Sequence, residues 1–404
     1  MENRGMVTLS AFYTVYFIGL GFSTFASKYF AQIGMSGSQI ALLTSLPALI
    51  AMCFMPMWGA LSDRMRLKKA IVSVMLALSA VLLFFVDGAS DFSHADPETG
   101  RLLPEATQFM PLLIILILNA FFGQAANPTA TSIALDYTNE RGKSFGPIRM
   151  MGTIGYQVGV LAIGFICMYS LRYLYTYFAI ALLAAAAVAL ALPNVRGRQF
   201  GGVRISPVKA LADKRIVAVL ALVLIGTCST MFYMTFYGAY LEEMGVSNIV
   251  TSVITWVSVC LEIPMLLFAT RLMRRFTIWQ WLLIGFAVNG VRWLGFVVAH
   301  DIGSWQLILV AQIPAVTAMA CFEFFPVLYI GKIIAPELSS SAQTLLTLTS
   351  FGIAKVLGSL LGGFISDIVG MRNVFFFFGI LLLTAAIVLI PFCRKLTHAE
   401  RAAS

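Results

Sequence analysis

Charge is scarce in this chain. Asp, Glu, Lys and Arg make up only 11% of its 404 residues, against 60% hydrophobic residues, far from the balance of a water-soluble domain. No stretch is polar for long enough to form a soluble domain of useful size. The phosphate-cradling pattern G-x-x-x-x-G-K-S/T is absent, which argues against an ATP-driven machine. No nucleophile–base constellation stands out, so enzyme chemistry is not expected and no catalytic residue is nominated. Six cysteines (Cys53, Cys167, Cys228, Cys260, Cys321 and Cys393) show no metal-ligand spacing and read as small core residues. The three histidines, His94, His300 and His398, fall outside the apolar runs, which leaves those runs without an imidazole relay or a metal site. No cofactor is expected beyond a proton gradient as energy source.

What the chain does have is a succession of long apolar runs. A hydrocarbon core of roughly 30 Å takes about 20 apolar residues per helical crossing. The runs are continuous rather than alternating, which excludes a transmembrane β-barrel. They predict helices near 8–33, 39–61, 70–87, 108–130, 145–167 and 172–192, then near 216–241, 248–270, 278–299, 304–330, 340–366 and 373–393. The expectation is an all-α membrane protein of twelve transmembrane helices in two pseudo-symmetric six-helix bundles. The segment Pro193–Asp213 is glycine-containing and basic, so the division is an N-terminal bundle 1–193, a cytoplasmic linker 194–215 and a C-terminal bundle 216–404. The first run is too long, and lacks the cleavage pattern, for a removable signal peptide.

Net charge is +9, but its placement reports topology rather than a nucleic-acid partner. With the N-terminus inside, 20 of the 27 Lys and Arg residues fall in inner segments and three (Arg101, Arg172, Arg372) in outer ones. That bias predicts a multi-pass inner- or plasma-membrane protein with both termini cytoplasmic. Small residues stripe two helices, Gly152, Gly155 and Gly159 on the fifth and Gly358 and Gly362 on the eleventh. That spacing allows close backbone approach.

Four cations remain inside the runs, Lys28, Arg149, Arg292 and Lys355, together with two acids, Glu262 and Glu323. A charge near the bilayer centre costs at least a few kcal/mol, so it faces a wet cavity or a partner. Six such residues suit a transporter; a membrane sensor or scaffold has no need of them. For Lys28, near the outer end of its helix, snorkelling to the surface is an equal alternative.

Two sets of residues carry a resemblance. Gly59–Lys69, G-A-L-S-D-R-M-R-L-K-K, is similar to the G-x-x-x-D-R-x-G-R-K/R loop signature of the major facilitator transporters, with Arg66 replacing the second glycine. The segment Gly362–Arg372 repeats its Gly and Asp spacing. The resemblance implies a cytoplasmic gate motif of Gly59, Asp63, Arg64 and Lys68. Phe145–Tyr156, F-G-P-I-R-M-M-G-T-I-G-Y, resembles the fifth helix of the lactose permease branch, which includes phenylpropionate-type and nucleoside-type proton symporters. It implies that Arg149 binds solute and Tyr156 stacks on its ring, which suits a guanidinium fork and an aromatic face. V-R-W-L-G and C-F-E-F-F-P imply proton coupling through Arg292 and Glu323. A carboxyl in an apolar wall favours its protonated form and an approaching arginine favours its ionised form.

Departures from that branch bear on the solute. On the same alignment Thr131 stands where the permease has a solute-binding glutamate, Ala320 where it has a histidine, and Met231 and Met234 where it has two aspartates. Lys355 and Glu262 lie near further solute-site positions. The solute-binding set implied is Arg149, Tyr156, Thr131, Glu262, Lys355 and Lys28. The function implied is secondary active transport, proton-coupled symport of a small organic solute by alternating access. A small carboxylate would supply the charge missing beside Arg149; saccharides and nucleosides stay open, as does efflux by proton antiport. Expected partners are the solute, the proton and the lipid bilayer, with a monomer sufficient.

Overall fold

The computed structural model describes residues 2–64, 68–90, 106–193, 214–273, 275–333 and 345–403. The side chains of 2–3, 56, 59–60, 62–64, 106–108, 262–273, 332 and 398–403 are outside that description. Among the described residues all regular structure is helical. In chain order the helices are α1 (Arg4–Gln32), α2 (Gly37–Arg64), α3 (Lys68–Ala89), α4 (Ala106–Glu140), α5 (Gly146–Ile166) and α6 (Leu174–Leu190). They continue with α7 (Lys214–Glu243), α8 (Asn248–Met273), α9 (Ile278–Ile302), α10 (Trp305–Gln312 followed by Ala315–Gly331), α11 (Leu345–Val369), α12 (Met371–Val388) and α13 (Ile390–Ala403).

Nine of these are long and apolar enough to cross a membrane among the described residues, or ten if the two pieces of α10 form one span. The helix Leu174–Leu190 and the described apolar part of α8, Asn248–Leu261, are shorter. The two pieces of α10 meet at 41°. The bend falls at Pro314, whose ring cannot continue the hydrogen-bond ladder, the usual cause of a sharp kink. Helix starts and stops follow local chemistry. Thr277 opens α9 with a capping box completed by Gln280, satisfying backbone donors the helix leaves unpaired. Gly303 closes it at φ +70°, in the left-handed region that favours glycine.

By packing, the described chain forms two compact units. Unit 1 is Met1–Gly201 with Tyr237–Trp256, and unit 2 is Gly202–Phe236 with Val257–Ser404. The packing division therefore departs from a single cut in the expected linker 194–215, which lies outside the described residues apart from Lys214 and Arg215. The tip of the α7–α8 hairpin, Tyr237–Trp256, packs with the N-terminal helices, although it falls in the C-terminal bundle by sequence.

The glycine stripes are helix seams. A Cβ at Gly155 would strike the Thr14 carbonyl oxygen and one at Gly159 the Ile18 carbonyl oxygen, so α1 lies directly on α5. In unit 2 a Cβ at Gly358 would meet the Cys228 carbonyl and one at Gly362 the Phe232 ring, which sets α11 against α7. Without a hydrophobic drive between helices in lipid, close packing of this kind holds a bundle together. Gly362–Arg372, expected to echo the gate motif, serves as a corner. Gly370 turns at φ +83°, and Arg372 makes two hydrogen bonds to Asp301, of 2.9 and 2.5 Å.

Candidate functional site

In unit 1, α1 and α5 line a polar seam. Tyr13, Phe17, Thr24 and Lys28 recur at helical spacing on α1. The Arg149 guanidinium of α5 lies 4.7 Å from the Phe17 ring centroid, and its side chain is exposed. The glycine at 152 makes room for it, since a Cβ there would come within 3.2 Å of an Arg149 Nη atom. The hydroxyls of Tyr13 and Thr131 share a 2.9 Å hydrogen bond, and those of Tyr156 and Thr24 one of 3.1 Å. Arg149, Thr131 and Tyr156 are thus all tied to the α1 side chains Tyr13, Phe17 and Thr24. An exposed guanidinium, an aromatic face and paired hydroxyls are what a hydroxylated or anionic ring requires. Tyr13 and Thr24 were not legible as site residues, because neutral hydroxyls in an apolar run carry no charge anomaly.

Lys28 does not join that set. It is fully buried, at 0% exposure. Its ammonium donates to the Val246 carbonyl and, at 3.0 Å, to the Thr251 hydroxyl, and it pairs with Glu242 at 3.4 Å. Gln32 also donates to Glu242, at 3.3 Å. In this structure the ammonium is turned inward, away from the surface, and clamps the tip of the α7–α8 hairpin onto α1. Asn248 at the start of α8 reinforces the clamp through a 2.7 Å bond to the Cys167 carbonyl.

Lys68, expected in the gate motif, is held within unit 1 in the same way. It is buried, 3.1 Å from the Ser132 hydroxyl and 3.4 Å from an Asp136 carboxylate oxygen, and so ties α3 to α4 within unit 1. The side chains of Gly59, Asp63 and Arg64, its companions in the expected gate motif, lie outside the described residues, as does that of Glu262.

Unit 2 holds Arg292, Glu323 and Lys355. Arg292 is 4% exposed and its Nη2 donates to the side-chain oxygen Oε1 of Gln312 at 2.5 Å. The Gln312 amide donates in turn to Tyr233 at 2.7 Å. The Tyr233 and Trp293 rings each lie 4.4 Å from the guanidinium carbon, an arrangement that stabilises a buried cation. Asn289 extends the network to Ser229 at 3.3 Å. Gln312, sitting just before the α10 bend, is the functional candidate that sequence reasoning missed.

Glu323 lies beyond that bend, and no ion pair joins it to Arg292. Among the described residues neither the Glu323 carboxyl nor the Lys355 ammonium makes a hydrogen bond or an ion pair. Both sit on distorted backbone: Glu323 within the π-helical turn Ala320–Phe324, Lys355 between the π-helical turns Leu348–Ile353 and Val356–Leu361. These are the only π-helical turns among the described residues, and such turns concentrate at functional sites. Phe322 packs against Gly226, and Cys321 and Phe322 against Gly285, so α7 and α9 hold the turn that carries Glu323.

Apolar helices of membrane-crossing length, two of them carrying an ionisable group that no described residue neutralises, are the mark of a multi-pass membrane protein with a transport role. The chain belongs to the MFS_1 like family, whose sequence model matches residues 6–377. It is thus a major facilitator transporter and not an enzyme. Its relatives include the maltose permease of Geobacillus stearothermophilus, 24% identical over 366 residues, which cover 89% of this chain and 87% of the permease. Another is the protein named Uncharacterized transporter YwbF of Bacillus subtilis (strain 168), 23% identical over 386 residues, 94% of this chain and 91% of YwbF. Among solved structures, the nucleoside transporter NupG superposes with a TM-score of 0.80 at 16% identity, covering 95% of this chain and 98% of that one. At that identity the likeness concerns the fold alone.

Proposed function

We propose that the protein is a proton-coupled symporter of a small organic solute, working by alternating access, with Glu323 as the proton carrier. The observation that carries this reading is the Glu323 carboxyl itself, set in a π-helical turn of an apolar helix without an ion pair or hydrogen bond among the described residues. As an anion in hydrocarbon such a group costs at least a few kcal/mol. It therefore takes up or gives up a proton whenever its access to water or to a cation changes. Arg292, held by Gln312 and Tyr233 in this structure, is the cation that would favour discharge on release from them. Solute recognition is assigned to Arg149, Tyr156 and Thr131, with Tyr13 and Thr24 orienting them. The relative named for maltose supports a solute of that size, and the exposed Arg149 accommodates a carboxylate as well.

The same reading takes twelve crossings, counting the bent α10, α6 and α8 as spans. It places the chain in the inner or plasma membrane with both termini cytoplasmic, working as a monomer. The test is uptake into proteoliposomes under an imposed pH gradient, acid outside, with a panel of saccharides, nucleosides and small carboxylates. Accumulation of one class, collapsed by a protonophore and absent with Glu323→Gln, supports symport. Accumulation only under the reversed gradient would identify an antiporter instead. Gradient-driven uptake that survives Glu323→Gln would remove Glu323 from the mechanism.

A further inference from the structure

Among the embedded charges whose side chains are described, Lys355 is one that neither the proton mechanism nor a structural clamp uses. It lies near the middle of the apolar helix Leu345–Val369, half-buried, with backbone loosened on both sides by π-helical turns. No hydrogen bond or ion pair reaches its ammonium among the described residues. Its surroundings explain why. One turn further on, Gly358 packs against the Cys228 carbonyl of α7, and the α7 residues at this level are Cys228, Met231 and Phe232. Ser359, a polar side chain on that seam, is occupied by the Met231 carbonyl at 3.1 Å and by Thr235 at 2.7 Å. In unit 1 the contrast is direct, since both buried lysines there, Lys28 and Lys68, have a carboxylate at 3.4 Å.

An ammonium inside hydrocarbon needs a counter-charge, and the described residues of unit 2 supply none to it. We infer that the counter-charge arrives with the solute: Lys355 is a carboxylate-binding subsite, and the transported solute is a small organic acid. This rests on the proposed symport and narrows its solute class. Charge balance follows from the chemistry. A monocarboxylate entering with the one proton carried by Glu323 moves no net charge. The cycle then responds to a pH gradient and not to membrane potential, whereas a neutral solute entering with a proton moves one positive charge inward.

The experiment uses the purified full chain in proteoliposomes with two pairs of probes, glucuronate with glucose and 3-phenylpropionate with 3-phenylpropionamide. Wild type is expected to accumulate an acid and not its neutral partner, unaffected by a potassium diffusion potential of either sign. Lys355→Gln is expected to lower uptake of that acid roughly ten- to hundredfold, the range for losing a hydrogen bond to a charged group. Lys355→Arg is expected to retain most of it. Size-exclusion profiles of the purified variants in detergent check that both fold. If Lys355→Gln is misassembled, the paired-probe and potential arms on wild type decide alone. Acid uptake by Lys355→Gln at the wild-type level overturns the proposal, as does wild-type uptake of only the neutral members or of neither acid. Glu323→Gln separates the two ideas. If it abolishes pH-driven uptake of a neutral solute, symport stands and the carboxylate subsite fails. If acid uptake needs Lys355 but ignores both Glu323→Gln and the pH gradient, the subsite stands and symport fails.

Discussion

The two units treat their embedded charges in opposite ways. In unit 1, Lys28 is locked to Glu242 and Lys68 to Asp136, each pair tying helices together. In unit 2, Glu323 and Lys355 have no such partner among the described residues, and the helices bearing them change register through π-helical turns. A buried ion pair costs desolvation and returns it in attraction, so its value is geometric: it fixes which helices meet. A lone buried charge has no such use and persists where a mobile species completes it. The difference teaches that burial of a charge does not by itself identify a transport residue.

Removing the proton carrier breaks the comparison most completely. Glu323→Gln is expected to abolish the roughly tenfold accumulation that one pH unit can drive for one proton, read as steady-state uptake. Equilibrative exchange should continue. Next is the seam that positions Arg149 and Tyr156. A side chain at Gly155 meets Thr14 backbone, which cannot yield, so Gly155→Leu is expected to cost about 3 kcal/mol or more. A wild-type unfolding midpoint in detergent would contradict the seam.

The clamp ranks alongside. Lys28→Met strands Glu242 and is expected to cost about 3 kcal/mol, with much of that recovered in a Lys28→Met/Glu242→Leu double variant. Additive losses would show that the pair is not coupled. The smallest effect is at Thr131. Its bond to Tyr13 is neutral, so Thr131→Ala should cost about 1 kcal/mol and raise the half-saturation concentration about fivefold. Maximal rate should be unchanged.

Much of this was legible from residue type and position alone. Continuous apolar runs marked the helices, and the glycine spacings at Gly152–Gly159 and Gly358–Gly362 marked the seams. All six embedded charges stood out because acids and bases are rare in such runs. What a charge does was not legible for Lys28 or Lys68. Their partners, Glu242 and Asp136, lie far along the chain, near helix ends where carboxylates are unremarkable, and only the packed bundle brings them together. The assignment of the hairpin tip, Tyr237–Trp256, to unit 1 follows from the same clamp. The separation of Arg292 from Glu323 was hidden too, because the Pro314 bend in α10 and the Gln312 amide have no signature in charge patterning. The Tyr13–Thr131 and Thr24–Tyr156 pairs were invisible for the plainest reason, that a neutral hydroxyl costs little enough in a helix to raise no alarm.

The central claim is that solute and proton cross together through Glu323. The most direct measurement is external pH in a lightly buffered suspension of de-energised cells expressing the protein, after addition of each solute class. Glu323→Gln and non-expressing cells serve as controls. The account predicts alkalinisation on addition of the transported class, absent from both controls. Solute entry with no pH change, or alkalinisation undiminished in Glu323→Gln, would contradict it.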